Sequence, residues 1–502
     1  MLLRREKKEK IMIQPNYESY RFQAEICKVE NASIVECRMA GVEIAKILAA
    51  QATVVPTECA LLDGEIKYAG KLVLKIVYED SENRVCRAER GAEFSHRVEN
   101  ALIVPNATAT PVFTVENITH RREGSSVYFS VVVKAEFCVF VERQAEYLVG
   151  GGGLIVKTEN KTFFKTVNLK GAAEADDEFE MDYVGDILMH AETAHVSFVE
   201  AGLGQITVAG EVSMQFCALG ASGGLCSYER LIPFRTEILC EDCTQNSFVS
   251  AWAHVTDAKI NVAADEEKGK CKVEAIIDLS VSAQVTVKDS LPVAVDAFSL
   301  SNAVGIEKTE SKTAYCVNTA QFTQRLTGAV SLSEKIDYST SLKAVLLPKA
   351  EISLKNGEAE GMVEATVILR DKEEGYKSAK MTLPFIFPLT VEKGAFFKAD
   401  AIVCGLSLYQ RKEGEAEAEA TLKVTVRTYQ EEHTEYIAQL TEGESFAEND
   451  SAISVYLPCA GDGLWETAKR LRRTPEELEK SNPELVFPLK GGERIFVYRQ
   501  KN

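Results

Sequence analysis

The sequence predicts a mainly β protein, with three tandem β-sandwich-like repeats followed by a small α+β module of the order strand, helix, helix, strand. Three observations predict this architecture. Short stretches of alternating polar and apolar residues recur along the chain and are separated by turn residues. One segment occurs three times at similar spacing. Helix start and stop signals are concentrated in the last part of the chain, between two short strands.

The repeated segment is an alternating strand that a glycine opens. Its three copies are residues 70–78, 210–218 and 361–369. A phenylalanine follows each glycine 24 residues later, and these residues are Phe94, Phe234 and Phe385. In each copy we expect a short helical stretch before the glycine, at 44–48 in the clearest copy, and another strand, such as 60–68. Two further strands should follow, over 112–118 and 127–140, over 252–262 and 271–287, and over 401–409 and 416–429.

These copies predict domains at 1–149, 154–300 and 308–441, with the terminal module at 451–500. Each of the three repeats is long enough for a core of its own. The joints are expected at 150–153, near 301–310 and at 442–451. Residues 150–153 are four glycines, but no Gly-Lys-Ser/Thr motif follows them. They therefore indicate a linker or a hairpin rather than a phosphate-binding loop.

The first copy carries a family resemblance. Two of its segments resemble the SPOCS domain of spore-forming clostridia. They are Gly41-Val-Glu-Ile-Ala-Lys-Ile-Leu and, further on, Leu62-Asp-Gly-Glu-Ile-Lys-Tyr-Ala-Gly-Lys-Leu-Val-Leu-Lys-Ile-Val-Tyr78. The second and third copies are more divergent and are assigned to the same domain by their similarity to the first.

The terminal module has its own set of local signals. Ile453, Val455 and Leu457 alternate as in a half-buried strand. Asp462 stands where a helix N-cap is expected. A second helix start follows, with Thr474 as the N-cap, Pro475 at the first helical position and Glu three residues after the cap, and it ends at Asn482-Pro483. Ile495 and Val497 predict the last strand, and Leu478 should face inward.

This segment resembles the LysM module, whose members generally bind glycans that contain N-acetylglucosamine. The resemblance implies a groove between residues 461–464 and about 486–490. It departs from the family at Gly463, where threonine is usual, and this change removes one side-chain donor from the groove. The basic first helix could in addition steer an acidic partner. The residues predicted to bind a partner or a glycan are Gly461, Asp462, Gly463, Leu464, Trp465, Lys469, Arg472, Arg473, Asn482, Leu485, Val486, Pro488 and Leu489. Trp465 is expected to be a core residue rather than a contact.

Tandem SPOCS domains with one C-terminal LysM module are the layout of SipL-type spore-coat morphogenetic proteins. This resemblance implies a non-catalytic scaffold in the mother-cell cytoplasm, at the forespore surface. The scaffold would dock through its LysM module onto the ATPase that forms the basement layer of the coat. The alternative is a protein that binds peptidoglycan at the cell wall or the spore cortex.

Composition and charge exclude several other functions. The net charge of −18 argues against a nucleic-acid partner. No stretch is long and apolar enough for membrane insertion, and no apolar h-region follows the charged N-terminus, so no signal peptide is expected. The 13 cysteines are expected to be reduced, most of them buried. Cys240 and Cys243 form the one close pair, without a second pair to complete a zinc site.

The sequence also predicts no enzyme, no cofactor and no metal site. None of the six histidines belongs to a His-Glu-x-x-His motif. His190 and His195 flank Glu192 at a spacing that suits neither one helix face nor one strand face, so both are interpreted as core or surface residues. The carboxylates are concentrated in turns and linkers, where runs of acidic residues are solvated. No nucleophile elbow, P-loop or dinucleotide motif is present.

Overall fold

The computed structural model describes residues 12–498 except 125, 183, 221–222, 266–268, 335–339, 356, 390–395, 413–414 and 448–452. Within these ranges the protein is mainly β, as predicted, and the two short helices lie in the terminal module. The strands before the module fall into three successive groups of six. The first group is β1 Gln14–Met39, β2 Lys46–Leu62, β3 Glu65–Glu79, β4 Val85–Glu99, β5 Thr108–Glu123 and β6 Ser126–Gly152. The second is β7 Ile155–Asp182, β8 Val184–Ala201, β9 Gln205–Gly220, β10 Leu225–Leu239, β11 Phe248–Asp265 and β12 Lys270–Phe298. The third is β13 Asn302–Leu332, β14 Ser341–Lys355, β15 Glu358–Asp371, β16 Gly375–Pro388, β17 Phe396–Lys412 and β18 Glu415–Ser445.

Each group, called here a unit, has the same topology. Its second, third and fourth strands form an antiparallel meander, and its last strand pairs with its first and its fifth. One buried hydrophobic cluster per unit contains residues of both sheets. In the first unit Leu72 and Leu74 of the meander and Val131 and Val133 of β6 are fully buried, in agreement with the alternating pattern. In the third unit the two sheets also join through β13 and β16.

The repeated glycine and phenylalanine are direct cross-strand partners. Gly70 is opposite Phe94, Gly210 is opposite Phe234, and Gly361 is opposite Phe385. A Cβ atom added at any of the three glycines would lie within 2.7 Å of the opposite phenylalanine ring. The ring therefore covers the glycine backbone, which explains why the two residue types recur together. The glycines lie inside β3, β9 and β15, so the prediction that they open their strands was wrong.

Two other local predictions were also wrong. Residues 44–48 are not helical, because β2 begins at Lys46 and has a bulge between Ile47 and Ala49. The bulge interrupts the alternation, so that Ile44 and Leu48 are both buried at a spacing that resembles a helix. Residues 60–68 are not one strand, because a turn at 63–64 separates β2 from β3. An Asp-Gly pair is a strong hairpin signal, and it marked this turn in the sequence. The later paired strands lie where they were predicted.

The three units meet one another along buried surfaces. A cluster of apolar residues joins the three meanders, and its buried members are Leu48, Ala49, Val77, Leu188, Met189, Cys217, Leu225, Ala344, Leu346, Ile368 and Tyr376. A second junction joins the ends of the long strands, with Tyr147 from the first unit, Phe163 and Val293 from the second and Tyr436 from the third. Strand structure occupies most of the expected joints: residues 150–152 belong to β6, 302–310 to β13 and 442–445 to β18. The predicted domain limits stay predictions.

Candidate functional site

The terminal module has the predicted order of elements. These are β19 Ile453–Tyr456, α1 Leu464–Leu471, α2 Pro475–Ser481 and β20 Ile495–Tyr498, and the two strands pair antiparallel. The N-cap of α2 is Thr474, whose hydroxyl accepts a hydrogen bond from the N–H of Glu477, as predicted. The N-cap of α1 is Gly463 rather than Asp462, and it supplies no side-chain hydrogen bond. The position at which the family usually has threonine is therefore the cap itself.

Four apolar residues form the centre of the module. Ala468, Leu478, Leu489 and Ile495 are at most 2% exposed, and Leu464, Trp465, Leu471, Leu485 and Val497 pack around them while partly exposed. Of the predicted binding residues, Leu489 is thus a core residue, while Leu464 and Leu485 are half-buried at the edge of the core. Leu478 faces inward, as predicted.

The two loops that the resemblance pointed to are neighbours in space. The N–H of Gly461 donates to the carbonyl of Leu489 at 2.7 Å, and the N–H of Leu489 donates to the carbonyl of Asp462 at 3.0 Å. The Asp462 carboxylate accepts from the N–H of Cys459 at 3.0 Å and from Arg470 at 2.9 Å. Val486, in the second loop, is 76% exposed. The exposed Pro488 lies in the same loop.

Asn482 connects α2 to β20. Its amide nitrogen donates to the carbonyls of Leu478 at 3.1 Å and Phe496 at 3.0 Å, and its amide oxygen accepts from the N–H of Phe496 at 2.8 Å. The side chain is buried, so these bonds are shielded from water. Asn482, predicted as a binding residue, has a structural role here, because its hydrogen bonds join the end of α2 to β20.

Replacing Asn482 by alanine is expected to destabilise the module by about 2–3 kcal/mol, because the N–H of Phe496 and the carbonyls of Leu478 and Phe496 lose a hydrogen-bond partner. The measurement is amide hydrogen exchange of residues 464–481 in the full chain, which should become faster. Glu484→Ala, at an exposed neighbouring position, should leave exchange unchanged. Equal exchange rates in Asn482→Ala and the unmodified protein would contradict this structural role of Asn482.

The basic residues of α1 and of the two positions after it have intramolecular partners. The Lys469 ammonium donates to Asp296 of β12 at 2.6 Å. The guanidinium of Arg472 lies 3.4 Å from the ring centroid of Phe446, and Arg473 donates to the carbonyl of Tyr498 at 2.9 Å. The basic side chains that were expected to steer an acidic partner are thus partly used in contacts within the chain.

Several exposed apolar residues of the module lie on or next to its two-stranded sheet. Ile453, Val455 and Leu457, whose alternation predicts a half-buried strand, are 56%, 54% and 66% exposed. The register pairs Tyr456 with the core residue Ile495, so the opposite side of β19 faces the interior. Ile453 is opposite Tyr498, and Val455 is opposite Phe496, and these two aromatic residues are 50% and 41% exposed. We call Ile453, Val455, Leu457, Phe496 and Tyr498 the apolar sheet face.

Sequence reasoning missed this face because alternation does not reveal which side of a strand is buried. The missed signal was the last strand, in which the aromatic residues Phe496 and Tyr498 alternate with the aliphatic residues Ile495 and Val497. A strand that is apolar on both sides indicates that a second surface could cover it.

The close cysteine pair lies in a loop of the second unit that has an equivalent in the first unit. The N–H of Gly204 donates to the carbonyl of Cys243 at 3.0 Å, just as the N–H of Gly64 donates to that of Ile103 at 3.0 Å. Cys243 is 1% exposed and Ile103 is fully buried. Burial also raises the pKa of the Cys240 thiol. Cys243 therefore occupies the position of a buried apolar residue. All 13 cysteines are free, and Cys138 and Cys459 are exposed.

The histidines of β8 lie at the junctions between units. His190 and Glu192 share one strand face, with Nδ1 of His190 2.6 Å from Oε1 of Glu192, and Nε2 lies 2.9 Å from Nζ of Lys75 in the first unit. His195 is buried, and its Nε2 lies 3.0 Å from the hydroxyl of Thr425 in the third unit. Within the described ranges, no three His, Cys, Asp or Glu side chains are grouped so that they could hold a metal ion.

Comparison with known proteins found a similarity over part of the chain. Residues 43–122 match the family model described as SipL, SPOCS domain. This range covers the meander of the first unit and most of β5, and it supports the resemblance noted in the first copy. The SPOCS match indicates a sporulation-related protein. No curated protein and no solved structure matched the chain. Among the described residues, no helix has the length and apolar character needed to span a membrane.

Proposed function

We propose that this protein is a non-catalytic assembly scaffold of the spore envelope. It docks through its terminal module onto the ATPase of the coat basement layer, in the mother-cell cytoplasm around the forespore. The three units are SPOCS-type β-sandwich repeats, and the terminal module is a LysM module. The SPOCS match at 43–122 supports the sporulation setting. The shared topology of the three units supports extending it to the second and third.

The observation that carries the docking proposal is the apolar sheet face. Five exposed apolar side chains lie on or next to one small two-stranded sheet. Clustered exposed apolar groups of this kind mark protein interaction sites, and aromatic residues such as Phe496 and Tyr498 are common at the centre of interfaces. A partner that covers this face would remove them from water, which is the main driving force for association.

The test replaces Val455 by aspartate in the full chain. A charge at the centre of the apolar sheet face should weaken capture of the purified coat ATPase at least about tenfold, equivalent to ~1.4 kcal/mol. The measurement is equilibrium binding of the two purified proteins. Ile386→Asp is the matched control, because Ile386 is 64% exposed on β16 and lies outside the module. Unchanged capture by Val455→Asp would refute docking through this face.

The second candidate function is binding of peptidoglycan glycans that contain N-acetylglucosamine. The adjacency of the loops around Gly461 and Leu489 favours it, because it brings together the segments that line the groove in LysM modules. Sedimentation of the full chain with insoluble peptidoglycan tests it, and Val486→Asp should reduce that binding. Saturable sedimentation without capture of the ATPase would replace the scaffold proposal by this one.

A further inference from the structure

One carboxylate of the second unit binds two side chains of the terminal module. Asp296 lies near the end of β12, and its Oδ2 accepts a hydrogen bond from the indole Nε1 of Trp465 at 2.7 Å. Its Oδ1 accepts from Nζ of Lys469 at 2.6 Å. Trp465 and Lys469 are four residues apart, so they lie on the same side of α1 and reach the same acceptor.

The β12 strand presents Asp296 to the module by an irregularity in its pairing. The register with β7 shifts between Ala294 and Asp296. The carboxylate also accepts from the N–H of Ala297 at 2.9 Å, which orients it. Two residues further on, the buried Phe298 packs edge-on against Trp465 with ring centroids 5.1 Å apart. The polar contact is thus adjacent to an apolar one.

The charge state of Asp296 favours the contact. Burial alone would raise the pKa of this carboxyl, but the hydrogen bonds from Lys469 and Trp465 outweigh it and hold the pKa below its ordinary value. A carboxylate with a lowered pKa is ionised throughout the neutral range, and it loses its charge only as the pH falls through that lowered pKa. A second contact, of Arg472 with Phe446 after β18, joins the other end of the helix to the third unit.

We infer that Asp296 acts as an internal ligand of the module. The module is then packed against the second and third units rather than tethered to them by a linker alone. The Trp465–Lys469 edge is then occupied by the chain itself, and an outside ligand for that edge must first displace Asp296. The apolar sheet face lies on other elements and stays open. This docking does not depend on the proposed function, although it assigns the open face to the proposed partner.

The experiment uses the full chain labelled with 5-fluorotryptophan. The protein has two tryptophans, Trp252 and Trp465, so the fluorine spectrum has two signals, which Trp465→Phe assigns. In Asp296→Ala we expect loss of the original Trp465 signal. A new signal should appear with the H₂O/D₂O isotope shift of an exposed indole, while the Trp252 signal stays in place. Lys469→Met should produce a change in the same direction.

The matched control is Asp278→Ala, which removes another β12 carboxylate and should leave both signals unchanged. A Trp465 signal that keeps its position and its low solvent shift in both Asp296→Ala and Lys469→Met would overturn the inference. The measurement contains neither ATPase nor glycan, so its failure is distinguishable from failure of the proposed function.

Discussion

Replacing Ile368 by alanine should lower the free energy of unfolding by about 3 kcal/mol and should destabilise all three units together. Ile368 is fully buried at the junction of the three meanders, where it packs in one cluster with Val77 of the first unit and Cys217 of the second. Removing its side-chain carbons leaves a cavity that closely packed neighbours fill only in part.

The measurement is chemical denaturation followed by fluorescence and by circular dichroism. Because the cluster is shared, both signals should shift to lower denaturant in parallel. Ile386→Ala makes the same change at an exposed site and should have little effect. If only the third unit lost stability in the Ile368 variant, with the other two unchanged, the units would be independent domains. The junction would then contribute nothing to the stability of the first and second units.

Lowering the pH from 6.5 to 4 should reduce the free energy of unfolding by up to about 3 kcal/mol through protonation of His195 in the unfolded chain. Burial, together with the nearby charge of Arg427, lowers the pKa of this histidine to about 4. Between that value and the ordinary pKa of about 6.5, the unfolded chain binds a proton that the folded chain does not. The stabilisation is therefore complete above about pH 6.5 and is lost as the pH falls towards 4.

The surroundings of His195 explain why the folded protein resists this proton. The positive charges of Arg427 and Lys423, both from β18, disfavour a third one on His195, while Asp400 of β17 partly offsets them. Lys423 is itself paired with Glu211 of β9, across the junction of the second and third units. Protonation would therefore weaken the contact between these two units.

The check is the free energy of unfolding as a function of pH for the unmodified protein and for His195→Gln. Glutamine carries no titratable group, so its stability should fall less between pH 6.5 and 4. His433→Gln is the control, because it makes the same substitution at an exposed histidine. Identical pH profiles for His195→Gln and the unmodified protein would contradict the assignment.

Much of the local structure could be predicted because it depends on neighbouring residues. The caps of α2, the order of elements in the module and the recurrent strands follow from short-range signals such as Thr474-Pro475. The errors arise where a pattern is compatible with two structures. At 44–48 a bulge produced apolar spacing that resembles a helix, and at Asp462 the cap was displaced by one residue.

The candidate site divides in the same way. The predicted loops around Gly461 and Leu489 are adjacent, because a short module brings its own segments together. Sequence reasoning could not show that Asn482 connects α2 to β20. It also could not show that Lys469 is held by a residue 173 positions earlier in the chain. Contacts at that separation leave no periodic signal in either segment.

The sequence by itself determined that this protein is mainly β, that one strand motif recurs three times, and that a strand–helix–helix–strand module ends the described chain. Alternation, caps and turn residues act over a few positions, so they can be recognised in the sequence alone. Only the tertiary structure decided that the three units share a buried junction around Ile368, that Trp465 rests on Asp296, and that Val455 faces outward. These outcomes depend on which surfaces meet, and burial against a distant segment is decided by packing in three dimensions.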